Sequence, residues 1–83
     1  MLKVGKLYKV AITRWAYAEF ILKEDYDAKI LRHSEIFMEE HLLFLGTRSE
    51  LYNCRPKPEK FVFLYMNKIW FTDPILYNFE EVC

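Results

Sequence analysis

Residues 61–72 read Phe-Val-Phe-Leu-Tyr-Met-Asn-Lys-Ile-Trp-Phe-Thr, and this stretch decides the fold class. Two apolar, aromatic-rich runs, Phe61 to Tyr65 and Ile69 to Thr72, flank Met66, Asn67 and Lys68. β-Branched and aromatic side chains suit a pleated, half-buried surface. Asparagine accepts the left-handed backbone that a tight turn between antiparallel strands requires. The stretch is predicted to be a β-hairpin. Asp73 and Pro74 end it, because proline has no amide hydrogen to continue a sheet ladder.

Other strands gather on both sides of this hairpin. Upstream, the run Leu42 to Leu45 is too short for a helix and is bounded by Gly46, which predicts a buried strand with Gly46 opening an exit loop. From Thr47 to Lys60 the chain is polar and holds Pro56 and Pro58. The residue before each proline is pushed to extended geometry, so an exposed, partly stiffened loop is expected. Downstream, Phe79 to Val82 returns as a short closing strand after a turn through Tyr77 and Asn78. At the other end, Leu7 to Thr13 alternates, with Tyr8, Val10 and Ile12 on one face, as a half-buried strand does. Gly5 suits a bend where the chain enters the sheet.

Residues 14–40 fit two templates. Tyr26, Ile30, His33, Phe37 and His41 recur at spacings of three and four, which is one helical stripe, and Asp25 and Asp27 suit its N-terminus. Against a long helix, Glu39 and Glu40 would crowd the negative end of the helix dipole, and Ile36 to Met38 suits a strand. The reading is a short helix near Ala28 to Ser34, preceded by an additional strand over Tyr17 to Lys23. This long early excursion is where a functional loop is expected.

A chain of 83 residues is one domain, spanning 1–83, and buries only roughly 60–65% of the surface its unfolded form exposes. Its core must be dense, and 18% aromatic residues supply that density. Zero net charge argues against wholesale electrostatic capture of nucleic acid. The charges are nevertheless segregated. Residues 1–18 hold Lys3, Lys6, Lys9 and Arg14 without an acid, whereas 19–41 hold Glu19, Glu24, Asp25, Asp27, Glu35, Glu39 and Glu40 against Lys23, Lys29 and Arg32. Opposite signs in consecutive segments point to pairing within the molecule. The lysines of the opening stretch interrupt any signal-peptide core, and no apolar run approaches the roughly 20 residues of a membrane-spanning helix. A cytoplasmic protein is expected. Cys54 and Cys83 form no disulfide framework.

The residues that usually carry chemistry are few and badly spaced. His33 and His41 are separated by about two turns on a helix, and no HExxH or CxxC spacing accompanies them, so no metal site is expected. Neighbouring carboxylates in a strand point to opposite faces, so Glu39-Glu40 and Glu80-Glu81 make no dyad. Cys54 has no adjacent histidine to activate it, and two isolated glycines build no phosphate loop. No enzyme and no cofactor are expected. Binding remains. Arg14, Trp15 and Tyr17 combine a guanidinium with aromatics, the chemistry of protein hot spots and of base stacking. The polar loop supplies a second set, Arg48, Tyr52, Arg55, Lys57 and Lys60.

Short strands around an aromatic core indicate a mainly β chain folded as a partly open barrel. Lys3-Val4-Gly5-Lys6-Leu7-Tyr8-Lys9-Val10, then Leu42-Leu43-Phe44-Leu45-Gly46, the hairpin ending Ile69-Trp70-Phe71 and the tail Phe79-Glu80-Glu81-Val82 together resemble small bacteriophage-encoded SH3-like barrel proteins. Segment 14–40 departs from that pattern. The resemblance implies a viral accessory protein in the host cytoplasm, of a kind usually without assigned activity. The leading expectation is a non-enzymatic interaction protein that binds and modulates a host protein through 14–40 and its aromatic flank. An RNA or single-stranded DNA binder, with Arg14, Lys57 and Lys60 on phosphates and Trp15 and Tyr52 on bases, is the alternative, and a self-assembling homo-oligomer is a third.

Overall fold

A computed structural model describes residues 2–11, 17–55 and 58–82. The chain runs β1 (Leu7–Val10), β2 (Tyr17–Leu22), α1 (Lys23–Asp27), β3 (His33–Phe37), β4 (Leu42–Thr47), α2 (Arg48–Tyr52), β5 (Phe61–Tyr65), β6 (Lys68–Thr72), a 3-10 turn (Leu76–Asn78) and β7 (Phe79–Glu81). The seven strands form one antiparallel sheet in the order β3-β2-β6-β5-β4-β1-β7. This is a mainly β half-barrel. The continuation of the first strand into Ile12 and Thr13 lies outside the described residues.

The hairpin is as the sequence reads. Tyr65 pairs with Lys68, so the turn is only Met66-Asn67, with φ of 53° and 58°. Two consecutive left-handed residues make the type I′ turn whose twist matches the strands it joins. Around this hairpin, alternation sorts the side chains. Phe61, Phe63 and Trp70 point to one face with Tyr8, Val10, Phe20, Ile36, Leu42, Phe44 and Phe79, and Phe71 and Val62 point to the other with Ile21.

The first set fills the concave face. Phe63 lies in a group of rings with Phe20, Phe44, Phe61 and Phe79 at centroid separations of 4.9–6.5 Å, mostly edge to face. Such pairs add roughly 0.5–1.5 kcal/mol each beyond area burial. They also reveal the curl. Phe20 on β2 and Phe79 on β7 are five places apart in the sheet order, about 24 Å if the sheet were flat, yet their rings are 6.1 Å apart. The curl does not close. β3 and β7 remain edges, so the barrel removes fewer exposed edges than a closed one would.

The second set forms a smaller apolar layer on the convex face, covered by α1 and α2. Tyr26 from α1 and Tyr52 from α2 both stand edge-on to Phe71.

Four expectations change. The helix is not at Ala28 to Ser34 but at Lys23–Asp27. Lys29, at φ 62°, takes the left-handed conformation that ends it, and the amides of Ala28 and Ile30 close onto the carbonyls of Glu24 and Asp25. The chain then enters a strand, because His33–Phe37 pairs along the whole of Tyr17–Ile21. The supposed helical stripe contains a spacing of four, and four is also an even number, so His33 and Phe37 share one face of β3. Second, Gly46 opens no loop. It lies within β4 at φ 132°, where Leu45 is the extra residue of a bulge between Phe44 and Gly46. Third, Thr47 to Lys60 is not all loop. Thr47 and Glu50 form a reciprocal capping box that starts α2. Fourth, the basic first segment does not pair with the acidic second one among the described residues. Lys9 instead meets Glu80 on β7, and the acidic segment pairs internally, Lys23 with Asp27 and Arg32 with Asp25.

Candidate partner-binding face

The excursion becomes β2, α1 and β3, and its antiparallel register sets out a face residue by residue. Ala18 opposes Ile36 and Phe20 opposes Ser34 on the concave side. On the convex side Tyr17 opposes Phe37, Glu19 opposes Glu35 and Ile21 opposes His33. The convex ladder is therefore aromatic, acidic and mixed in turn.

The aromatic rung is a tilted pair with centroids 5.9 Å apart, and Phe37 is 49% exposed. The acidic rung places two exposed carboxylates on directly opposed residues, whose Cβ atoms lie about 4.5–5.5 Å apart in such pairs. Like charges so placed destabilise a sheet. Among the described residues neither takes a salt bridge. Thr72 donates its hydroxyl to the Glu19 carbonyl at 2.8 Å, which ties β2 to β6 here through the backbone. The turn between α1 and β3 adds Ile30 and Leu31, the latter 78% exposed. Beyond β3, Glu39 and Glu40 stand exposed in the turn to β4. Burial first, then the neighbouring Glu40 carboxylate, raises the Tyr65 pKa.

Because β3 is the last strand in the order, its outer edge has no neighbour among the described residues. In an antiparallel pair, alternate residues turn their amide and carbonyl away from the partner, so β3 presents unpaired backbone groups along that edge.

Of the candidate residues read from sequence, Arg14, Trp15 and Lys57 lie outside the described residues. Tyr17 is half-buried at the start of β2, on the face just described. Tyr52 is elsewhere. It rests on Phe71, whose partner in β2 is Ile21, four residues and about 13 Å along the strand from Tyr17. The Lys23 ammonium lies over its ring, 5.2 Å from the centroid. Arg55 is exposed beyond α2. Lys60 is engaged with Asp73 at 2.7 Å. Arg48, also in the predicted loop, stacks on Tyr26 at 4.6 Å and donates to its hydroxyl at 3.1 Å. The second set is thus divided between the convex layer and the surface.

The β3 edge and the Glu19–Glu35 rung were absent from the sequence reading, which took Phe37 into a helical stripe and the strand-like run Ile36 to Met38 but not into a binding face. Their signal was present in Glu35-Ile36-Phe37, one buried residue between two exposed ones, but the strand that orders them is nonlocal.

Two depressions are also present, one away from this face and one bordering it at Leu31. One of about 310 Å³ is an apolar groove between the N-terminal turn and the end of the half-barrel, lined by Leu2, Val4, Phe44, Phe61 and Leu76. Another, of about 460 Å³, lies beside Arg48, Lys29 and Leu31. His33 and His41 are both exposed. Cys54 is half-buried past the end of α2, its sulfur 3.7 Å from the Arg48 carbonyl. Among the described residues no three His, Cys, Asp or Glu side chains gather as metal ligands, and no helix is long and apolar enough to cross a membrane. Comparison with protein-family models, curated proteins and solved structures gives no match for this chain.

Proposed function

We propose that this chain is a non-enzymatic interaction protein that binds and modulates another protein through the β2–α1–β3 excursion. The resemblance to phage-encoded barrels makes a host protein in the cytoplasm the expected partner. The observation that carries the reading is the free β3 edge with Phe37 and Leu31 exposed beside it. A backbone edge offers hydrogen bonds, and exposed apolar side chains next to it supply anchors. Arg14 and Trp15 precede Tyr17 closely in the chain. The engagement of Lys60 with Asp73 and of Tyr52 with Phe71 leaves fewer groups for a nucleic acid than the alternative reading requires.

The test is affinity capture from nuclease-treated bacterial lysate with the intact chain as bait. The expected result is a protein that is retained by the wild type and by an Arg55→Ala control, and lost with Phe37→Ser and Leu31→Ser. Alanine at Trp15 and Tyr17 should weaken capture without unfolding the bait. Capture that ignores all four substitutions, or that disappears with nuclease, overturns the reading.

A further inference from the structure

We propose that the partner presents an extended, basic segment that pairs as an additional strand with the outer edge of β3. This rests on the reading of the excursion as the binding surface and names the chemistry of what binds there. Three independent features select that occupant.

The first is the backbone. β3 offers five residues of unpaired edge, enough for a segment of similar length to form a ladder. The second is charge. A basic side chain on the incoming strand, placed opposite Glu35, would lie on the convex face beside Glu35, with Glu19 one strand further in, about 10 Å away and within reach of a long side chain. It would relieve the like-charge rung that the fold leaves standing. The third is the alternation of faces. A residue of the added strand next to the basic one points to the concave side, beside Ile36, where an apolar group extends the core. The fitting segment therefore alternates basic and apolar residues.

The same charges disfavour a second copy of this chain. Two β3 strands related by a two-fold axis at their midpoint would bring Glu35 against Glu35. Joining β3 to the other edge, β7, would bring it against the exposed Glu80 and Glu81. Both edges are acidic, so self-association is repelled while a basic strand is attracted.

Fluorescein-labelled decapeptides of alternating Lys and Val, of alternating Glu and Val, and of Lys and Val with every backbone amide N-methylated test this by anisotropy at low salt. Amide shifts of the ¹⁵N-labelled protein locate the contact. The Lys-Val peptide is expected to bind, to shift amides of 33–37, and to lose affinity roughly two- to fivefold with Glu35→Gln and by a smaller factor with Glu19→Gln. The Glu-Val peptide should bind only to the Glu19→Lys/Glu35→Lys protein, and the N-methylated one to neither. These substitutions are at exposed positions, and the amide spectrum reports whether the fold survives them.

No binding of the Lys-Val peptide, binding insensitive to N-methylation, or shifts centred on Arg48 or on the Leu2–Leu76 groove overturns the proposal. So does a wild-type mass by light scattering that shows two copies joined through β3. If a lysate protein is captured through Phe37 and Leu31 while the Lys-Val peptide fails, the basic-strand proposal falls and the interaction surface stands. If neither binds, both fall.

Discussion

Gly46 shows how one residue answers to its backbone. Its φ of 132° is open to glycine and costly for any side chain, although a Cβ there would meet Leu51 and Glu50 only at ordinary contact distance. Gly46→Ala should therefore destabilise through conformation and not through a clash, by about 1–3 kcal/mol, read as a lower urea midpoint at unchanged slope. Thr47, the next residue, is the cap of α2. Its hydroxyl bonds to the Glu50 carboxylate at 2.7 Å, and the Thr47 amide bonds to the same oxygen at 3.0 Å. Thr47→Ala should cost about 0.5–2 kcal/mol.

The same cap carries a pH dependence. Hydrogen bonding from Thr47 holds the Glu50 pKa below the ordinary carboxylate value. Burial pushes Glu59 up, but hydrogen bonds from the Ser49 side chain and from the backbone of Lys60, Ser49 and Arg48 outweigh it and leave its pKa lowered. A depressed folded-state pKa gives stability that is present above the unfolded value and lost as pH falls through the folded one. Amide protection factors in 47–52, corrected for the intrinsic pH dependence of exchange, should accordingly fall below the usual carboxylate range, ahead of those in the β5–β6 hairpin, and Glu50→Gln should flatten that dependence.

At the scale of elements, the β5–β6 hairpin was legible because its determinants are local. Two aromatic strands and an asparagine turn lie within twelve residues. Its one imperfection is Met66, which is 73% exposed and left-handed. Replacing Met66-Asn67 by Asn-Gly removes a strained side chain that packs on little, and should stabilise the protein by about 1 kcal/mol in denaturant titration. α2 was missed, although Thr47-x-x-Glu50 carried its signal, because the following prolines and charges pointed to a loop. β3 was not legible. A five-residue strand with a single buried side chain, Ile36, has too little pattern of its own, and its identity comes from pairing with β2. The helical spacing of His33 and Phe37 was real and meant something else.

For the whole molecule, the curl depends on rings that meet from distant strands. Phe79 touches Phe20, Phe61 and Phe63, so it joins β7 to β2 and β5 across the concave side. Phe79→Ala should cost about 3–5 kcal/mol, and its effect should spread to amides of β2 and not remain in the C-terminal strand. Zero net charge does not make this surface neutral everywhere, because both free edges carry acids. Light scattering of the free protein should accordingly give the monomer mass of 10.1 kDa.

The sequence by itself determined the mainly β class, the hairpin at its centre, the aromatic core and the strands read over Leu42 to Leu45 and Phe79 to Val82, the latter ending at Glu81. Alternation, turn chemistry and composition act over a few residues and can be read in line. The partly open barrel was also expected from the sequence, and only the tertiary structure decided that β3 is its edge and that Glu19 faces Glu35. Those depend on which strands become neighbours, and neighbours sixteen residues apart, such as Glu19 and Glu35, are chosen by the packing of the whole core.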